Sequence, residues 1–167
     1  QAFVTDSDTE VITLEQVFER FSSWLRLKNF IAWTLRYRKN LRDAVDRRKA
    51  GKKSRTNEII IPISVEEIKR AEREIVIRVQ SLSFREEVSG LRKSEGNNET
   101  TKIKSWPIKK SSSIQNLDPQ LQNGILRVGG RLKNAPIEWE SKHPRILPKN
   151  NHVSKLIVQY YHQISAH

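Results

Sequence analysis

The dipeptide Asn123-Gly124, set between Leu121 and Ile125, constrains the fold more than any other feature of this chain. Asn-Gly tolerates the two successive positive φ angles of a tight type I′ turn, whose twist matches that of paired strands. The flanking Leu121-Gln122 and Ile125-Leu126-Arg127-Val128 then read as a hairpin of about 119–122 and 125–128. Gly129-Gly130 predicts a bulge or sharp bend next to it. Ile146-Leu147, bounded by Pro144 and Pro148, predicts an edge strand. Asn150 or Asn151 then caps a last helix with Val153, Leu156, Ile157, Tyr160, Tyr161 and Ile164 on its apolar face.

Upstream the pattern changes from period two to helical spacing. Thr13 with Gln16, and Ser64 with Glu67, have capping-box spacing, in which side chain and backbone at a helix start bond each other reciprocally. After Thr13, one or two helices are expected over 13–48, with Trp24, Leu27, Ile31 and Leu35 near one face. That apolar stripe fades after Leu35. After Ser64, Ile68, Ala71, Ile75, Val79 and Leu82 step by three or four, which predicts a helix over 65–82. Ser83 and Glu86 suggest a short helix through Leu91. Residues 93–105 are polar and aperiodic, and Ser111-Ser112-Ser113 extends them. The expected fold class is α+β, mainly helical. Its expected parts are a helical connector at 1–92 (basic over 20–55), a linker at 93–113, and a hairpin with a C-terminal helix at 114–167.

Charge is placed unevenly. Residues 1–19 hold five acids and no base, whereas residues 20–55 hold 13 bases against Asp43 and Asp46. The whole 167-residue chain carries +12. Such a basic block suggests a polyanion partner, most simply DNA or RNA bound without sequence preference. The expected phosphate contacts are Arg36, Arg38, Lys39, Arg42, Arg47, Arg48, Lys49, Lys52 and Lys53. The competing reading is that bases at a helix end simply complement its dipole. An intracellular setting is expected, and Arg47–Lys53, with the composition of a nuclear-import patch, leaves the nucleus as one option. Gly51-Lys52-Lys53-Ser54 lacks the upstream glycine of a phosphate-binding P-loop.

Several chemistries are disfavoured. With no cysteine there is no disulfide, thiolate nucleophile or Cys-containing zinc site. No Gly-x-Ser-x-Gly turn and no carboxylate pair in an apolar setting stands out, so no enzyme active site is expected. No 18-residue apolar run suggests a membrane span. The chain has no methionine, even at position 1, so a processed chain or fragment is expected. His162 and His167 have the His-x3–5-His spacing of half a zinc site. They also fit as ordinary helix-end residues.

Several stretches together resemble one family, the Pol polyprotein of BEL/Pao-type LTR retrotransposons, between ribonuclease H and the integrase core. Phe21-Ser22-Ser23-Trp24 with Ala32-Trp33-Thr34-Leu35-Arg36 resembles the helical connector after ribonuclease H. Ala71-Glu72-Arg73-Glu74-Ile75 with Val79-Gln80 resembles the helix that follows. Gly124–Leu132 and His143-Pro144-Arg145-Ile146-Leu147-Pro148-Lys149 resemble the β-rich entry to integrase. Tyr160-Tyr161-His162 with His167 is similar to the first half of the integrase His-His-Cys-Cys zinc-binding domain. The resemblance implies a role in DNA integration within a larger polyprotein. It implies His162 and His167 as zinc ligands of an incomplete site, because the family's Cys pair and acidic triad would lie beyond His167. It carries over no catalytic residue. The alternative is a domesticated, free-standing basic helical module that binds nucleic acid or another partner.

Overall fold

The computed structural model of the chain describes residues 13–51, 61–96, 108–130, 132 and 135–165. Its architecture is mainly helical α+β. Among the described residues there are six helices and one two-stranded antiparallel hairpin.

The helix starts follow local chemistry. Thr13 and Gln16 form the capping box of α1, Leu14–Glu19. Ser64 and Glu67 do the same for α3, Val65–Ser83. Between them runs α2, Trp24–Lys49, so residues 13–48 make two helices rather than one. It ends at Ala50 and Gly51, whose φ of +66° suits a residue without Cβ. After α3 the chain turns at Phe84 into α4, Arg85–Gly96, one turn and more beyond the expected end at Leu91.

The expected linker at 93–113 is therefore helical at its start. It is also packed at its end, where Ile108 is buried beside Phe84, Val88, Leu91 and Ile114. Polar composition hid this, because one apolar side chain among serines and lysines is enough to anchor a short segment.

The hairpin pairs β1, Gln120–Gln122, with β2, Ile125–Arg127, in the register Leu121 opposite Leu126. Asn123 and Gly124 take φ of +50° and +81°, the left-handed pair that the turn demands. Gly129 is required by a close approach: a Cβ there would stand 2.3 Å from the backbone oxygen of Asp118. The edge strand expected at Ile146-Leu147 is reduced, among the described residues, to one isolated bridge. Arg145 bridges Arg127, and the Ile146 N–H donates to the Leu126 carbonyl at 3.1 Å. A four-residue helix, α5 (Trp139–Lys142), precedes this strip and has no counterpart in the sequence expectations. The last helix is α6, His152–Ser165, started by Asn151, whose side-chain oxygen accepts from the Val153 N–H at 2.9 Å.

The parts upstream and downstream of 93–113 pack together. Phe18, Trp24, Leu27, Ile31, Ala71, Ile75 and Val79 share one core with Val153 and Leu156 of α6. A second cluster joins α4 to Leu121, Leu126 and Ile146. Gln80 of α3 ties the hairpin to the helices. Its side chain is 1% exposed. Its amide nitrogen donates to the carbonyls of Leu126 (2.9 Å) and Ile146 (2.7 Å), and its oxygen accepts from the Leu126 N–H (2.7 Å). A buried amide is tolerable only when so satisfied.

Candidate nucleic-acid interface

At 1.5 Å per residue the 26 residues of α2 span about 39 Å, more than the body of the protein covers. Its buried residues are Trp24, Leu27, Lys28, Ile31 and Ala32, all in the first third. No residue from Arg36 to Lys49 is buried. By helical spacing, Arg38, Arg42 and Lys49 continue the arc that Leu27 and Ile31 occupy in the core. The side that faces α3 and α6 in one half thus becomes cationic in the other.

Six ion pairs are formed among the described residues, and none uses an α2 base beyond Arg36. Arg38, Lys39, Arg42, Arg48 and Lys49 are exposed and Arg47 is half-buried. Arg36 does not belong with them. It donates from Nε to Glu67 at 2.8 Å, pairs a second time with the same carboxylate, and donates to the backbone carbonyls of Ile61 and Pro62. The Arg36 hydrogen bonds, with the Ser64 backbone N–H second, hold the Glu67 carboxyl down at about 2. Arg36 thus fastens the segment before α3, with its charge already paired. Spacing alone placed it among its basic neighbours; the partner is 31 residues away in sequence.

A flanking arc of α2 carries Phe30, Trp33, Tyr37 and Leu41, each more than 40% exposed. Arg36 lies over the Trp33 ring at 5.0 Å. Exposed aromatic side chains thus stand beside cations that are unpaired among the described residues. Lys52 and Lys53 lie outside the described residues.

The histidines divide differently. His143 donates from Nδ1 to the Val128 carbonyl at 2.9 Å, and His152 donates from Nε2 to the Phe21 carbonyl at 2.7 Å. Each thus has one ring nitrogen committed to the fold. His162 is exposed on α6, and His167 lies outside the described residues. Among the described residues no group of three or more His, Asp or Glu is placed to hold a metal ion. Two histidines in a chain without cysteine do not supply the four ligands of a structural zinc site.

Sequence reasoning also passed over Arg127 and Arg145, which the pairing of β2 with the strip after α5 brings side by side. Among the described residues no helix is long and apolar enough to cross a membrane. Comparison with protein-family models, with curated proteins and with solved structures finds nothing that matches this chain.

Proposed function

We propose that this chain is a non-catalytic, nucleic-acid-binding segment of a BEL/Pao-type retrotransposon Pol polyprotein, with a role in DNA integration. In this reading it is the connector after ribonuclease H together with the start of integrase. Binding is electrostatic, through the distal half of α2 and the basic run that follows it. The observation that supports it most is the absence of any acidic partner, among the described residues, for the α2 bases beyond Arg36. Bases kept only for helix-end electrostatics would be needed in the last turn; Arg38, Lys39 and Arg42 lie well before it.

The test is binding to DNA and RNA by fluorescence anisotropy over a range of salt. Affinity should fall linearly in log–log form, with a slope of about −0.7 to −0.9 per phosphate neutralised. Changing Arg47, Arg48, Lys49, Lys52 and Lys53 together to Gln should flatten that slope by several units. Undiminished binding by this variant would sink the reading.

A free-standing, domesticated module is the second reading. It is favoured by one observation: α6, placed by the resemblance at the start of integrase, packs with α1 and α2 in one core. The coding sequence after His167 separates the two. A Cys-x2-Cys pair followed by an acidic triad supports the first, and a stop codon supports the second.

A further inference from the structure

Beneath the hairpin lies a groove of about 860 Å³, walled by α2, α3, β2, α5, α6 and the strip at 144–147. That is within the roughly 300–1,000 Å³ of small-molecule sites. Ile157 and Tyr161 give it an apolar wall, with Val76 buried behind. Its ionisable lining is four bases, Lys69, Arg73, Arg127 and Arg145, against two acids, Glu72 and Glu140, which leaves +2.

Arg127 is the unusual member. It is 8% exposed, lies over the Trp139 ring at 4.8 Å, and donates to the His143 carbonyl at 2.8 Å. Its one carboxylate neighbour is Glu140, 3.6 Å away and itself largely exposed. Glu72 gives it no help, because that carboxylate is shared between Lys28 at 3.3 Å and Arg145 at 2.6 Å. Two buried N–H donors in the lining residues, Arg127 Nε and Trp24 Nε1, have no acceptor among the described residues. Burial, and after it the charge of Arg145, hold the Arg127 guanidinium below its ordinary range. A buried cation next to a second cation, with one exposed carboxylate at 3.6 Å as its ion-pair partner, is short of negative charge.

We propose that this groove binds a phosphomonoester, its head held by Arg127 and Arg145 and its carrier resting on Ile157 and Tyr161. Arginine forks suit phosphate oxygens. A phosphomonoester carries about −1.5 to −2 at neutral pH, which matches the lining, whereas a carboxylate brings half of that. The phosphate can belong to a free small molecule or to the 5′ end of a nucleic-acid strand. The site is separate from the distal half of α2 and does not depend on it.

Titration calorimetry of the full chain at fixed ionic strength tests this with two matched pairs. One is a nucleoside 5′-monophosphate against its nucleoside; the other is a short oligonucleotide with and without a 5′-phosphate. The phosphate should tighten binding by about tenfold or more in at least one pair, the worth of a charge-assisted double hydrogen bond. Gain in the first pair identifies a small-molecule source, and gain in the second alone identifies a strand end. Arg145→Gln should remove the gain. Glu140→Gln, an exposed change that leaves the fold alone, should raise phosphate affinity by about threefold, since it frees Arg127 from a weak surface pair. Asp43→Asn, the same charge change on distal α2, should leave the phosphate gain untouched. No gain from phosphate in either pair, or a gain indifferent to both Arg145→Gln and Glu140→Gln, overturns the proposal.

Discussion

The first and second halves of α2 are one continuous helix in two physical regimes. Over 24–35 its apolar arc is covered by α3 and α6, and even a lysine is drawn in. Lys28 is 8% exposed, pairs with Glu72, and lies within 5.5 Å of the ring centroids of both Trp24 and Tyr160. Over 36–49 the same arc turns to Arg38, Arg42 and Lys49, and no residue is buried. Packing supplies most of the stability of helices in proteins, and an isolated helix shorter than about 12–15 residues is marginal in water. The distal half therefore depends on the proximal half as its nucleus. Among the described residues, nothing in its own contacts explains its charge.

The largest separation between the halves should come from matched leucines. Leu27→Ala removes a fully buried side chain and should destabilise the protein by about 2–5 kcal/mol. Leu41→Ala, at a site 48% exposed, should stay within about 0.5 kcal/mol. Urea unfolding followed by circular dichroism measures both, and equal effects would mean that the distal half is packed after all.

Lysines sharpen the same contrast. Lys28→Gln takes one of two cations from a part-buried carboxylate and should destabilise by about 1–3 kcal/mol. Lys39→Gln, exposed and unpaired among the described residues, should be nearly neutral. A double-mutant cycle of Lys28→Gln with Glu72→Gln should show coupling that Lys39→Gln lacks.

A helix breaker then tests dependence. Leu41→Pro removes a backbone donor inside α2 and disfavours the local helix by about 3 kcal/mol. Helical signal should fall by roughly the residues beyond 37, while the unfolding midpoint of the body shifts by less than that of Leu27→Ala. A cooperative loss of the whole fold would show that the halves are one energetic unit.

How much of this was readable in advance depends on the range of each interaction. Thr13 with Gln16, Ser64 with Glu67, Asn123-Gly124 and Asn151 act within four residues, and the structure uses each as its spacing implies. The decay of the apolar stripe after Leu35 was also legible, because it is a pattern along one helix. Gln80 was not: a glutamine on a helix reads as surface until the hairpin that it bonds, 46 residues later, is in place. The ion pair of Arg36 was hidden for the same reason. Its neighbours in sequence are bases, whereas its partners are Glu67 and two carbonyls before α3. Arg127 and Arg145 become a pair only when two strips align. Local grammar specified elements, and long-range polar partners decided which of the cations remain available.

The smallest effect sits at the border between the halves, in the Arg36–Glu67 pair. The Arg36 hydrogen bonds, with the Ser64 backbone next, lower the Glu67 carboxyl from an ordinary value near 4.5 to about 2. A carboxyl depressed in the folded state contributes stability that is fully present above its unfolded value. That stability is lost as pH falls from 4.5 through the folded value near 2, because the unfolded chain takes up the proton first. Stability measured between pH 5 and pH 2 should therefore decline more steeply in the parent than in Glu67→Gln, which has no such proton to bind. The difference should be modest and should shrink in high salt, since both side chains are partly in water. It should also survive Leu41→Pro unchanged, because the pair fastens the proximal border to α3 and needs nothing beyond it. Identical pH profiles for the parent and Glu67→Gln would show that Arg36 is as free as the bases that follow it, and would move the border between the halves back to Leu35.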